Sequence, residues 1–251
     1  MAYAVFTRDV AADSAYLSAL APLGLEIVAM PLTRTEPPRD PGALTRALEA
    51  GGHAAILIAS ARGAAALIEA VSGARIRPTL PEVWAVGPAT LRALVTGGIA
   101  ALHPAAAHDG PALAHELIRE RELAGLRVLV PRAEDGREEP MAILRAAGVT
   151  VDDVIVYRTV TAPQDDPALV RGRDLLLADA ADLCVVFAPS QVTALTALVG
   201  PLAQRTTRFA AIGDTTAAVL HEAGVTNVAV ATTPTPEGLA NAIAAVYPPG
   251  R

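Results

Sequence analysis

The chain has 251 residues, 52% of them hydrophobic and 18% charged, with a formal net charge of −6. That length and apolar share suffice for one large core or two modest ones, while the acidic balance argues against a general nucleic-acid-binding face. No apolar run reaches about 18 residues without a charge or a Gly/Pro break, so no membrane span is predicted. No basic stretch followed by an apolar one marks a secretory leader, and a cytoplasmic location is the expectation.

Two absences narrow the chemistry. All 20 basic residues are arginine, which excludes a Schiff-base lysine, a pyridoxal-phosphate anchor and a P-loop lysine. Cys184 is the one cysteine and lies in the apolar run 183–187. It cannot form an internal disulfide, and it reads as a buried structural thiol.

Short β-branched or apolar runs predict strands near 3–6, 26–30, 54–58, 83–86, 126–130, 151–156, 183–187, 208–212 and 227–231. The Ala/Leu-rich stretches between them predict helices over 10–22, 62–71, 89–96, 110–121, 138–147, 191–199, 215–223 and 236–246. Strands alternating with helices of this length mean an α/β fold with parallel sheets flanked by helices.

The chain also repeats itself at roughly 120 residues, which suggests two similar lobes and not a solenoid. Val5-Phe6-Thr7-Arg8, a helix and Gly24-Leu25 are echoed by Leu129-Val130-Pro131-Arg132, a helix and Gly148-Val149. Val86-Gly87-Pro88-Ala89-Thr90 and a later His108-Asp109-Gly110 are echoed by Ile212-Gly213-Asp214-Thr215-Thr216 and Thr235-Pro236-Glu237-Gly238. Proline-rich stretches at 36–41 and 162–167 read as two crossings between lobes. One lobe is therefore expected to be discontinuous, 1–35 plus 164–251, and the other to span 36–163 with connector strands at both ends. The extended segments 31–35 and 157–162 could pair as a two-stranded antiparallel connector.

In open α/β sheets, ligands bind outside the carboxyl ends of the strands. Those tips carry Arg8, Ser60-Ala61-Arg62, Gly87-Pro88-Ala89-Thr90, Arg132 and Arg137, Tyr157, Ser190-Gln191, and Gly213 with Thr215 and Thr216. Most are rich in small or hydroxyl residues and open a helix, where backbone N–H groups and the helix dipole attract anions. Several such starts around a cleft suit a ligand with many carboxylates or phosphates. Each alone is equally an ordinary N-cap. His103, His108 and His115 lack metal-site spacing, and no second cysteine helps, so no metal is expected. Neither G-x-G-x-x-G nor G-x-S-x-G is present. Tyr157 ends a hydrophobic strand near the expected junction, as a packing tyrosine or as a catalytic phenol.

Taken in order, these residues resemble the uroporphyrinogen-III synthase family over essentially the whole chain. The series includes Val156-Tyr157-Arg158-Thr159-Val160, Val186-Phe187-Ala188-Pro189-Ser190, Ala211-Ile212-Gly213-Asp214-Thr215-Thr216-Ala217 and Pro234-Thr235-Pro236-Glu237-Gly238-Leu239. Ile58-Ala59-Ser60 and Val86-Gly87-Pro88-Ala89-Thr90 extend it toward the N-terminus. Ala59 and Ala188 stand where the family more often has a hydroxyl residue, and Asp214 where proline is frequent.

The resemblance implies a bilobal fold and an enzyme without cofactor or metal. Its substrate is hydroxymethylbilane, a linear tetrapyrrole with eight carboxylates, and its product is uroporphyrinogen III with ring D inverted, plus water. It implies substrate contacts at Arg8, Ser60, Ala61, Arg62, Gly87, Pro88, Ala89, Thr90, Arg132, Arg137, Ser190, Gln191, Gly213, Thr215 and Thr216, with Tyr157 as catalytic acid. A monomer is expected, with transient contact with hydroxymethylbilane synthase. The competing readings are a non-catalytic tetrapyrrole or polyanion binder on the same fold, and an unrelated two-lobed enzyme gripping phosphate with helix starts; the missing lysine weakens the second.

Overall fold

A computed structural model describes residues 2–11, 14–74 and 78–247. The first half of the chain runs β1 (Ala2–Phe6), α1 (Ala15–Leu20), β2 (Leu25–Ala29), β3 (Thr33–Glu36), α2 (Ala43–Ala50), β4 (His53–Ile58), α3 (Ala61–Gly73), β5 (Glu82–Ala85), α4 (Gly87–Thr96) and α5 (Gly110–Glu120). The second half runs β6 (Arg127–Ala133), α6 (Glu139–Ala146), β7 (Thr150–Thr161), α7 (Val170–Leu177), β8 (Leu183–Val186), α8 (Pro189–Val199), β9 (Arg208–Ala211), α9 (Asp214–Glu222), β10 (Val228–Val230) and α10 (Pro236–Val246). No described helix is long and apolar enough to cross a membrane.

Two compact units result: Met1–Arg34 with Val160–Arg251, and Thr35–Thr159. The first holds a sheet in the order β10-β9-β8-β1-β2, with every pair parallel. Its strands are buried on both faces, which is why they read as unbroken apolar runs and not as alternation. Cys184 and Val186 of β8 face one layer with Leu176, Leu195 and Leu220 from α7, α8 and α9. Leu183 and Val185 face the other, with Leu20 of α1 and Leu239 and Ile243 of α10. Burial pushes the Cys184 thiol far above its ordinary range, as a structural thiol requires.

The second unit repeats the scheme in the order β3-β7-β6-β4-β5. Ile56, Ile58 and Leu129 meet Leu44, Leu67 and Leu94 on one face. Ala55, Leu57 and Val128 meet Leu113, Leu117 and Leu144 on the other. Each fully buried aliphatic side chain is worth about 1.5–3 kcal/mol relative to exposure, so both sheets are held by these two-sided layers.

The structure refines the expected elements in four places. The first helix begins at Ala15, not near 10, because Ser14 caps it by accepting from the Tyr16 amide at 3.3 Å; residues 12–13 of the expected helix lie outside the described residues. Two helices, α2 and α7, flank the proline-rich stretches. Strand β7 joins the expected strand 151–156 to the expected extended segment 157–162 in one run to Thr161, and β3 is its hydrogen-bonded neighbour, as the pairing of 31–35 with 157–162 anticipated. Helix α8 starts at Pro189, two residues before the expected 191, so Ser190 lies inside it; Thr215 lies inside α9 as expected, and Ala188 and Gly213 occupy the N-cap positions.

Candidate functional site

In the second unit the chain goes from β4 to β5 on one side, then returns to place β6 on the other side of β4. This reversal is the switch point at which open α/β sheets form a crevice beyond the strand ends. A cavity of about 390 Å³ lies there, lined among others by Ser60, His108, Asp109, Arg132, Arg137 and Tyr157. That volume falls in the range of about 300–1,000 Å³ usual for ligand sites.

Each wall has a local cause. The Ser60 hydroxyl accepts from the Gly63 amide at 3.0 Å and caps α3, so its oxygen already has one partner. Ala61 and Arg62 are exposed on the first turn of α3. The Arg62 guanidinium sits 5.7 Å from the centre of the half-buried Tyr157 ring, an attractive cation–π placement. Arg62 and Arg137 have no carboxylate partner among the described residues, and the Tyr157 phenol has no hydrogen-bond partner among them.

Arg132 is different. Its Nε and Nη2 each donate to Asp153 at 2.7 Å, and Nη1 donates to the carbonyls of Ala133, Glu134 and Gly136. The hydrogen bonds that Arg132 donates to Asp153 hold its pKa above the usual value. The fork that would grip a ligand carboxylate is therefore already occupied. Gly87–Thr90 open α4 beside this cavity and outside its lining. Gly87 adopts φ 73°, which favours glycine. Pro88 and Ala89 are exposed, and Thr90 is buried.

In the first unit the switch point falls between β1 and β8. Arg8 stacks there on Phe187 at 5.2 Å and Tyr16 at 5.6 Å, with no carboxylate partner among the described residues. Gln191 is buried and fully engaged. Its Oε1 lies 2.6 Å from the Thr7 hydroxyl and accepts from the Phe187 amide at 2.9 Å, while Nε2 donates to Thr33 at 3.3 Å. It knits the ends of β1 and β8 together instead of presenting a free amide. Ser190 and Thr215 are exposed on the first turns of α8 and α9, whereas Thr216 is buried. The helices α4, α8 and α9 have no side-chain cap, unlike α3, α5 and α10; in α8 and α9 the Gln191 and Thr216 amides turn back to the Ala188 and Gly213 carbonyls at 3.0 and 3.2 Å.

A sequence model of uroporphyrinogen-III synthase HemD matches residues 14–241. The chain belongs to the uroporphyrinogen-III synthase family. Among solved structures, uroporphyrinogen-III synthetase from Helicobacter pylori is similar with a TM-score of 0.65 at 15% identity, over 98% of this chain and 100% of that one. A mutant uroporphyrinogen III synthase from the extremely thermophilic bacterium Thermus thermophilus gives 0.62 at 20% identity, over 96% of each. At these identities the likeness is one of fold. A comparison with curated proteins finds no match.

In this uroporphyrinogen-III synthase family member, sequence reasoning left out of the candidate site three residues that line the cavity or hold its wall. Asp109 accepts from the Ala112 amide at 2.8 Å and caps α5 beside the cavity; Asp-Gly-Pro before an apolar helix is a cap signature that could have revealed it. His108 precedes it on the same wall. Asp153 meets Arg132 only through the β6–β7 register, which nothing local encodes. Among the described residues, no group of three or more His, Cys, Asp or Glu could hold a metal ion.

Proposed function

We propose that this chain carries out the family's reaction with Tyr157 as proton donor and a set of unpartnered arginines and helix starts as carboxylate receptors. The reaction cyclises hydroxymethylbilane to uroporphyrinogen III with inversion of ring D and release of water. The observation that carries the assignment is the Tyr157 phenol, on the wall of the cavity at the β4/β6 switch point under the Arg62 guanidinium.

The chemistry asks for little beyond positioning. Departure of the hydroxyl leaves an azafulvene, attack by the substituted carbon of ring D gives a spiro intermediate, and reopening and reclosure invert the ring. Free substrate cyclises unaided to the uninverted type I isomer, so the protein must favour the spiro route. Orientation can supply about 7–11 kcal/mol in favourable cases. Tyr157 protonates the departing hydroxyl. Arg62, Arg137, Arg8, Ser190 and Thr215 are the proposed carboxylate receptors, as are the starts of α4, α8 and α9, where Gly87, Pro88, Ala89 and Gly213 carry no side-chain cap. Arg132 holds the cavity wall through Asp153, while Gln191, Thr90 and Thr216 are buried and support the strand and helix ends of their own units. A monomer in the cytoplasm, taking its unstable substrate from hydroxymethylbilane synthase in a transient contact, fits this chemistry.

The test is the product isomer. Hydroxymethylbilane generated in situ is incubated with the protein, and the oxidised products are separated chromatographically. Type III product that depends on the protein is the expected result. Type I alone, at the unaided rate, would replace the enzyme by a tetrapyrrole-binding protein on the same fold.

A further inference from the structure

We propose that His108 is a second catalytic residue of this reaction: the base that takes up the proton released when the macrocycle closes. The proposal rests on the Tyr157 reading and completes its proton cycle. When the hydroxyl leaves, the C–O bond breaks, its electron pair goes with oxygen, and the phenol's proton completes the water. That leaves a phenolate and a cationic azafulvene. The last C–C bond forms at the unsubstituted α-carbon of ring D. The C–H bond there must then break, its electron pair restoring the pyrrole and its proton passing to a base. Return of that proton to the Tyr157 phenolate, through water, resets the site with only product and water formed.

Beside the Tyr157 phenolate, His108 is the neutral base on the cavity wall placed to receive that proton. Asp109 Oδ1 is engaged by the Ala112 amide, and the Arg132 fork is filled by Asp153. Imidazole is the side chain whose charge changes between pH 5 and 8. His108 Nδ1 lies 3.0 Å from the Ala106 carbonyl oxygen. A carbonyl can only accept, so the hydrogen of the neutral ring sits on Nδ1 and the lone pair on Nε2. Nε2 in turn lies 3.9 Å from Asp109 Oδ2, a carboxylate that stabilises the imidazolium once the proton arrives. The His108 side chain is 80% exposed, so a substrate settling in the cavity reaches Nε2 without displacing protein. The other charged or titratable groups around it are Asp109 at the start of α5, Arg132 and Arg137 from β6 and the turn after it, and Tyr157 on β7.

The experiment compares wild type and His108→Gln for type III formation from pH 5.5 to 9, with kcat and KM separated and with or without added imidazole. Circular dichroism of both proteins establishes that the fold is intact. The base reading expects kcat about a hundredfold lower in His108→Gln, KM within about threefold, loss of the limb in which wild-type kcat falls toward acid pH, and partial rescue by imidazole. An unchanged kcat, or an equal loss at every pH without rescue, would overturn it while leaving the synthase reading intact. A wild type that makes only type I product would overturn both.

Discussion

Arg62 and Arg132 lie at the same end of one sheet, yet what holds them predicts opposite phenotypes. Arg62 rests on the Tyr157 ring and meets no carboxylate among the described residues. Arg62→Met should leave the thermal midpoint nearly unchanged and raise KM about tenfold, the loss of one charge-assisted hydrogen bond of about 1.5 kcal/mol. Arg132→Met strands the Asp153 carboxylate and three carbonyls. The pair is only partly exposed, so stability should fall by about 1–3 kcal/mol, visible as a lower urea midpoint, before any change in KM is read. Tyr157→Phe separates acid from packing residue: it keeps the ring and the Arg62 contact and removes only the proton. A ten- to hundredfold loss of type III turnover is expected in steady-state assays; full turnover would return Tyr157 to packing. Residue type showed that arginines and hydroxyls gather at strand tips. It could not show which were already spoken for, because Asp153 and Thr7 reach Arg132 and Gln191 across strands that only the folded register brings together.

Helix starts divide into two kinds. Ser60, Asp109 and Thr235 cap α3, α5 and α10 with their side chains; Val86, Ala188 and Gly213 leave α4, α8 and α9 uncapped. Ala188→Asp should supply the missing acceptor at α8 and stabilise the protein by about 0.5–2 kcal/mol. The same carboxylate would occupy amides assigned to the substrate and repel its acids, so KM should rise as the thermal midpoint rises. A drop in KM would remove α8 from the binding surface. The alternation of strands and helices was legible because two-sided burial writes each strand as an apolar run. The extended segments 31–35 and 157–162 were legible too, as an expected pair; what was not is that 150–161 runs on as one strand, a continuity that comes from the neighbouring β3 and from the pairing of Tyr157 with Ala133. The α1 boundary was lost for a smaller reason, a serine cap outweighing helix-compatible residues before it.

At the scale of the whole molecule, a chain with net charge −6 binds a polyanion. Two effects compete, and added salt separates them. If net charge governed the encounter, screening would relieve repulsion and raise kcat/KM. If the unpartnered arginines and uncapped amides govern it, screening weakens attraction and kcat/KM falls. We expect the fall across about 0.05–0.5 M salt, measured as initial rates of type III formation. The internal repeat and the proline-rich stretches are where the sequence suggested a division into lobes; the layers around each sheet follow from the apolar runs.

The first unit draws on both ends of the chain, and this has a consequence for its birth on the ribosome. Strand β1 sits between β2 and β8, and Thr7 hydrogen-bonds to Val185 across 178 residues of sequence. At about 5–20 residues per second, β1 emerges roughly 10–35 s before its partner exists. Throughout that interval the nascent chain carries Ala4, Val5 and Phe6, each wholly buried in the finished protein, with one flank of the strand open. The intervening unit, Thr35–Thr159, is complete before β8 appears and can fold in the meantime. Synthesis order thus lets the Thr35–Thr159 unit mature ahead of the unit that encloses it in sequence, and leaves β1 as a segment that a chaperone has time to hold.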